Sequence, residues 1–378
     1  MMKKTADVII IGSGIVGNSA AYYLAKKGKS VIVLESDKSI GYGSSSRNGG
    51  GVRQSGRDPR ELPYAIYGIK NIWPTLSEEL GIDVEYHQSG NLRLALNEQH
   101  IDILKGQVEK ATALGLDVTL VDQQTVRDIC PYLSEQIIGA TWCPTDGHAN
   151  PMKATLAYYV RGREMGIQYI TNKKVAEIQK VKGKARKVVT EDGDVFEGED
   201  IIVAAGMGSR AIARSVQVDV PIKAGFGEAL VTEMQPKMFD IMLGVASAEV
   251  YGHQCEHGSF VFGSGTGLEQ FYDEPDGNMR NHSLPIPANC RVIMKYIPAL
   301  ENAKIVRGWG GWHDACLDHV PIISKVDEVP GLILACGFSG HGFGTGPAVG
   351  MLLSQMVLGE ELLCDITPLR YDRFKSNR

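Results

Sequence analysis

Val8 to Ile11 is an unbroken apolar run, and Ser30 to Leu34 is a second one. Between them, Asn18 to Lys27 carries apolar residues at helical spacing, with Ala20, Ala21, Leu24 and Ala25 on one side. A short continuous apolar run suits a parallel strand covered on both faces, so the stretch predicts a strand–helix–strand unit. Gly28 suits the left-handed position that ends such a helix. Further on, Ala65 to Leu80 reads as helix, and Val84 to Leu96 as strand with Leu92, Leu94 and Leu96 on one face. His100 to Leu114 is helical, Asp117 to Leu120 a short strand and Gln123 to Ile129 a short helix. Pro151 opens a helix that Lys153 to Glu164 continues. Strands follow at Gln168 to Ile170, Val175 to Val181, Lys187 to Glu191 and Ile201 to Ala204. From Val220 to Phe262, runs at Ala229 to Thr232, Glu249 to Tyr251 and Ser259 to Phe262 predict an antiparallel sheet distinct from the parallel one. Ser264 to His282, polar with Phe271 and Tyr272, reads as a surface loop or an active-site cover. Ala288 to Tyr296 is a helix, Gly331 to Cys336 a strand, and a helix ends at Leu358.

The first strand–helix turn holds Gly12, Gly14 and Gly17, and Glu35 ends the second strand. This G-x-G-x-x-G spacing in a βαβ setting is a dinucleotide fingerprint. Gly12 permits the tight turn, Gly14 lets backbone approach a pyrophosphate, and Gly17 lets helix and strand pack closely. Free N–H groups at the helix start, through Ile15 and Val16, favour phosphate. Glu35, with Ser36 beside it, can accept from ribose hydroxyls and disfavours a 2′-phosphate, so NADP is not expected. The fingerprint alone does not separate FAD from NAD.

Length and charge narrow the picture. The 378 residues allow two domains, and 22% charged with 43% hydrophobic residues is ordinary for a globular chain. A net charge of −5 gives no reason to expect nucleic acid as a partner. No apolar run approaches the length of a membrane span. Lys3 and Lys4 before an apolar stretch would suit a secretory leader, but the glycine fingerprint inside that stretch argues against one. A cytoplasmic location, or a membrane-peripheral one through partners, is expected. The seven cysteines form no C-x-x-C pair, so no metal site is suggested, and free thiols are expected.

Two glycine-rich stretches add chemistry. Ser36 to Arg57 is a long loop in which Ser44, Ser45, Ser46, Arg47 and Asn48 bring donors next to Gly49, Gly50 and Gly51, suiting a flat ligand with phosphates. Gly337 to Gly350 sets six glycines around His341, Phe338 and Phe343, too many for an ordinary strand–helix link. Ala205 and Gly206 are small residues at a strand end, as an approaching ligand requires.

Taken together, the opening fingerprint, GSSSRNGGGVR, DGHANP, IIVAAG, RGWGGW, DHVPII, GFSGHGFGTGPAVG and TPLRYDRF resemble the D-amino-acid oxidase and sarcosine oxidase superfamily of FAD enzymes. Within it the chain is similar to β subunits of hetero-oligomeric proline or hydroxyproline dehydrogenases, opine oxidase and hydrogen cyanide synthase. The resemblance implies α/β and α+β classes: a discontinuous, Rossmann-like FAD-binding domain of the GR2 type with an antiparallel-sheet substrate domain. Its boundaries would be 1–84, 146–216 and 306–378 for the FAD domain, and 85–145 and 217–305 for the substrate domain. It implies FAD contacts from Gly12, Gly14, Gly17, Glu35, Ser45, Ser46, Arg47, Asn48, Gly49, Gly50, Val175, Ala205 and Gly206. Gly340, His341, Gly342, Phe343, Gly344 and Thr345 would lie at the flavin pyrimidine edge.

The resemblance implies hydride transfer from the amine-bearing carbon of a small amino acid to flavin N5, giving an imine. Arg53 would clamp the substrate carboxylate, Tyr251 would line the pocket, and His341 would move a proton; Arg307 and Trp309 are weaker pocket members. FAD is expected to be noncovalent, because no cysteine stands at Gly310 to Trp312. A lysine that helps hold the carboxylate in relatives is replaced by Gly344. Pro151 stands close to where one relative links FMN through histidine, with His148 nearby, so an FMN at a subunit junction would be noncovalent. Substrates implied are D- or L-proline or hydroxyproline, then opine, glycine or sarcosine. A non-catalytic FAD-binding subunit that relays electrons is the alternative of another class.

Overall fold

The computed structural model describes residues 4–264, 271–272 and 285–377. Its first sheet grows from the βαβ unit. Thr5–Ile11 lies between Val31–Leu34 and Val195–Val203, parallel to both. Gln168–Ile170 extends one side in parallel and Leu332–Cys336 the other, with Ile322–Lys325 antiparallel at the edge. The hairpin Val175–Val181 and Lys184–Thr190 leans on Val195–Val203. Val8, Ile9 and Ile10 are fully buried, which is what an apolar run covered on both faces requires. On one face, Val8 and Ile10 pack with residues of the helices Ile15–Lys26 and Gly342–Leu358.

The second sheet is separate. Its order is Phe271–Tyr272, Ile222–Met234, Ser259–Ser264, Val250–Gln254, Met242–Val245, Asn91–Ala95, Gly139–Cys143 and Thr119–Asp122. It is antiparallel except where Met242–Val245 runs parallel to Asn91–Ala95. Ile305–Cys316 joins it along Ile222–Met234, from Ile222 opposite Cys316 to Thr232 opposite Ile305. The expected third stretch of the FAD domain, 306–378, therefore begins inside a strand of the second sheet. A two-strand ladder, Gly51–Val52 with Gly147–His148, links the long glycine loop to the segment before the helix Pro151–Glu164.

Three sequence expectations change. Ala65 to Leu80 is not one helix: Leu62–Asn71 and Leu76–Leu80 are separated by a short turn at Trp73–Thr75, because Pro74 lacks the N–H a continuous helix needs. Within Val84 to Leu96 only Asn91–Ala95 forms the extended strand, although His87 bridges His148. The glycine run is not a loop throughout. The helix starts at Gly342 and runs to Leu358 with Pro347 inside it. Packing overrides the poor helix propensity of glycine: a Cβ on Gly346 would stand 2.7 Å from Ile15 Cγ2, and Ser19 Oγ donates to Gly346 O at 2.9 Å. The 264–282 stretch lies outside the described residues except for the Ser264 backbone and the Phe271–Tyr272 pair. Among the described residues no helix is long and apolar enough to cross a membrane.

Candidate active site

The glycine turn is built for a close ligand. Gly12 has φ +105°, and a Cβ there would collide with the Ala204 carbonyl; a Cβ on Gly17 would collide with the carbonyl of Gly12 itself. Ile15–Lys26 starts with no side-chain cap at Gly14, and its Ile15 N–H donates to Ser45 Oγ at 2.9 Å. The start of the helix thus opens on the serine loop, with Val16 buried behind it. Glu35 is 9% exposed and faces the same turn. Its Oε2 accepts from Ser13 N at 2.9 Å and Ser13 Oγ at 2.6 Å, its Oε1 from Asp37 N at 2.9 Å and Ser36 Oγ at 3.1 Å. Glu35 also ties its own backbone to Ile170 and Lys173, next to buried Val175. Ala204 N donates to Ile11 O, which sets Ala205 and Gly206 beside the turn. The missing Cβ atoms, a helix start that takes no cap from Gly14 itself and the fixed carboxylate fit a dinucleotide pyrophosphate and ribose.

The serine loop runs from there to the second sheet. Ser44–Ser46 is one 3₁₀ turn. Ser44 Oγ donates to Trp312 O, Arg47 Nη1 donates to Gly310 O, and Trp309 Nε1 donates to Arg47 O at 2.9 Å. Asn48 donates to the Ser44 and Ser45 carbonyls and accepts from Gly50 N. The donors expected to face a ligand from Ser44, Arg47 and Asn48 thus also hold the loop in shape. Ser46 Oγ contacts its own turn at Gly43 O. Trp309, half-buried, pins this loop through that bond, and Arg307 is exposed.

Past Gly49 and Gly50, the loop meets Tyr251. Gly49 N donates to Tyr251 Oη at 3.4 Å. A Cβ on Gly49 would lie 2.7 Å from the ring, and one on Gly263 2.5 Å from its other edge. Two glycines therefore flank the ring, which leaves the residue 36% exposed. Arg53 is half-buried and donates to Ser55 O at 2.8 Å. Burial, then the charges of Arg57 and Arg93, push its pKa down to about 9 against the pull of Asp146 and Glu61. Arg57 joins Arg53 to His341, its Nε donating to Arg53 O at 2.7 Å and its Nη2 to His341 O at 3.3 Å, while Tyr251 meets the same loop at Gly49.

His341 sits just before the glycine helix. Gly344 packs on the Gly51–Arg53 backbone, where a Cβ would meet Gly51 O at 2.9 Å; Trp73 Nε1 donates to Gly344 O at 2.8 Å, and Phe343 packs edge-on against Trp73. Thr345 Oγ1 donates back to His341 O. Gly340 stands in the turn before His341, and Gly342 opens the helix.

Two residues that sequence reading missed hold His341. Glu61 Oε1 lies 3.1 Å from His341 Nδ1, while Glu61 Oε2 accepts from Arg57 Nη1 at 3.1 Å and from Tyr64 Oη at 3.4 Å. Both side chains of the Arg57–Glu61 pair are 1% exposed. Burial pushes the Glu61 carboxyl up, but its hydrogen bond to His341 and the charges around it outweigh that and hold it down at about 2. Burial lowers the His341 pKa, against Glu61 and with Arg53 and Arg57, so the imidazole is neutral near pH 7. An ionised Glu61 then fixes the proton on Nδ1 and leaves Nε2 as the acceptor. Arg57 and Glu61 stand in the turn that precedes the helix Leu62–Asn71, so no helical periodicity marked the pair in the sequence.

The turn beneath the glycine helix carries a buried acid. Asp314 Oδ2 accepts from Gly337 N at 2.6 Å, and Asp314 O from Ser339 N at 2.8 Å. Burial raises the Asp314 pKa to about 6. A group whose folded pKa is raised contributes stability below its unfolded pKa, and that contribution is lost as pH rises through the folded value. Asp314→Asn keeps an acceptor for Gly337 and removes the charge. It is expected to gain roughly 1–2 kcal/mol over the parent at pH 8 and nothing below pH 4, as read by urea unfolding at the two pH values.

A family model described as FAD dependent oxidoreductase, DAO, matches residues 7–356. The chain is 28% identical over 382 residues to the beta chain of sarcosine oxidase from Arthrobacter sp, across 99% of this chain and 92% of that protein. It is 26% identical over 392 residues to one of the subunits of opine oxidase from Rhizobium meliloti, across 98% of each. Among solved structures, L-proline dehydrogenase from P.horikoshii superposes with TM-score 0.91 at 27% identity, covering 100% of both chains.

Proposed function

The chain belongs to the DAO family of FAD-dependent oxidoreductases, and from that premise we propose that it dehydrogenates a small amino acid at the carbon bearing its amine. Proline and hydroxyproline, of D or L form, are the first substrates proposed. The observation that carries the reading is Arg53: a half-buried guanidinium with one hydrogen bond among the described residues, beside Tyr251 and His341. Such a group is suited to take a carboxylate with two parallel hydrogen bonds.

The Gly12–Gly17 turn, Glu35 and the Ser45 loop would hold FAD, which would supply the hydride acceptor. The chain's own groups position and deprotonate. Arg53 holds the carboxylate. Neutral His341, with Nδ1 bonded to Glu61, offers Nε2 to accept a proton from the substrate ammonium. Tyr251 forms one wall of the pocket between Gly49 and Gly263.

The likeness to sarcosine and opine oxidases supports opine, glycine or sarcosine as second substrates, and further chains in a hetero-oligomer. An FMN at a subunit junction belongs to that second proposal. It would be noncovalent, because Pro151 opens a helix and His148 is buried, stacked on His253 at 3.9 Å. We also keep the 1–84, 146–216 and 306–378 stretches as the proposed FAD domain, with a cytoplasmic or partner-held peripheral location. Anaerobic titration of the FAD-loaded chain with proline, the hydroxyprolines, sarcosine, glycine and an opine tests the function. Bleaching of the flavin band by one of them supports it; a band that none of them bleaches points to an obligatory partner chain, a substrate outside this panel, or a flavin that does not react with substrate.

A further inference from the structure

Arg93 lies in the middle of Asn91–Ala95, a strand whose Leu92 and Leu94 enter the core of the second sheet. Arg93 therefore shares the other face with Asn91. That face looks toward the segment carrying Arg53, because Asn91 Nδ2 donates to Ser55 Oγ at 2.9 Å and Asp146 Oδ2 at 3.3 Å. The Arg93 guanidinium is seated on Gly56. A Cβ at Gly56 would lie 2.5 Å from Cζ and 2.7 Å from Nε, and its φ of +68° disfavours a side chain as well.

The residue is 8% exposed, yet its Nε has no hydrogen-bond partner, and Nη2 reaches only the Val245 carbonyl at 3.3 Å among the described residues. Asp146, the carboxylate between the two segments, is already engaged by Gln54 N at 2.6 Å, Ser55 N at 3.2 Å, Ser55 Oγ at 2.5 Å and Asn91. Arg57 is paired with Glu61. Arg53 and Arg93 thus bring about ten N–H donors into one neighbourhood with few acceptors. Their charges also repel, as the lowered Arg53 value records. A buried guanidinium left this way is costly unless an anion completes it.

We propose that Arg93 is the second arm of the carboxylate site, so that a ligand carboxylate is held between Arg53 from the glycine loop and Arg93 from the second sheet. This rests on the proposed function, in which Arg53 receives the substrate carboxylate. It also gives the carboxylate a second cation where Gly344 offers none.

The test uses the FAD-loaded chain and carboxylates that cannot reduce flavin, acetate and pyrrole-2-carboxylate, with binding read as a perturbation of the flavin spectrum. Arg93→Gln is expected to raise Kd for both by about 10- to 100-fold, the loss of one charge-assisted contact. Arg93→Lys, which keeps charge but not the fork, is expected to weaken binding by roughly 3- to 10-fold. Flavin content and thermal unfolding report whether each variant folds; should Arg93→Gln not fold, Arg93→Lys decides. Parent-like affinity in the folded variants, while Arg53→Gln weakens binding, overturns the role of Arg93 alone. Parent-like affinity in the Arg53 variant as well overturns the reading of the whole carboxylate site.

Discussion

Glu61→Ala is expected to destabilise the chain by about 3–5 kcal/mol, because it leaves Arg57 buried with its partner removed. The same change removes the acceptor that holds His341 Nδ1 and the group bonded by Tyr64 Oη. The pH dependence follows from the lowered Glu61 value, about 2 against an ordinary 4.5. A group whose folded pKa is depressed contributes stability above its unfolded pKa, and that contribution is lost as pH falls through the folded value. The parent should therefore lose stability as pH falls from about 4.5 toward 2, and Glu61→Ala should lose less across that window. His341, also depressed, adds a loss that begins below its ordinary 6.5. Urea unfolding of parent and variant from pH 7 to 3 checks both points. Equal stability at pH 7 would mean that the Arg57–Glu61–His341 chain holds nothing together.

Arg53→Ala is expected to raise the substrate KM by about 100-fold, the loss of a bidentate charge-assisted clamp in a partly buried site. FAD should stay bound, since the Gly12–Gly17 turn, Glu35 and Ser45 lie apart from Arg53 in the contacts described. The residue also relieves crowding when it leaves: its charge lowers the His341 pKa, so the histidine should titrate at higher pH in the variant. Steady-state kinetics across pH, with flavin content measured on the same samples, separates the two effects. An unchanged KM would remove Arg53 from the substrate site.

These two variants fall on opposite sides of what the sequence could tell. The turn at Gly12, Gly14 and Gly17 with Glu35 is a local matter: thirty contiguous residues carry strand, helix, strand and acid, and period alone orders them. Arg53 and His341 were reachable because each sits in a glycine-rich stretch that marks a ligand. Glu61 was not, because its meaning depends on His341, 280 positions away. Arg93 was hidden in the same way. The alternation of Leu92 and Leu94 was read for the core, and the arginine on the opposite face gains its sense only from Gly56 and Asn91 after folding. The glycine helix shows the converse error. Glycine content reads as loop, but close packing on Ile15 and Ser19 needs the absent side chains, and helix wins.

The central claim is that this site, once loaded with FAD, removes hydrogen from the carbon bearing a small amino acid's amine. Anaerobic rapid mixing tests it most directly, using the substrate found in the titration panel with hydrogen or deuterium at that carbon. The account expects the flavin band to bleach with both and severalfold more slowly with deuterium, since breaking that bond is the chemical step. Bleaching at the same rate with both isotopes and with Arg53→Ala, at saturating and at low substrate alike, would contradict it.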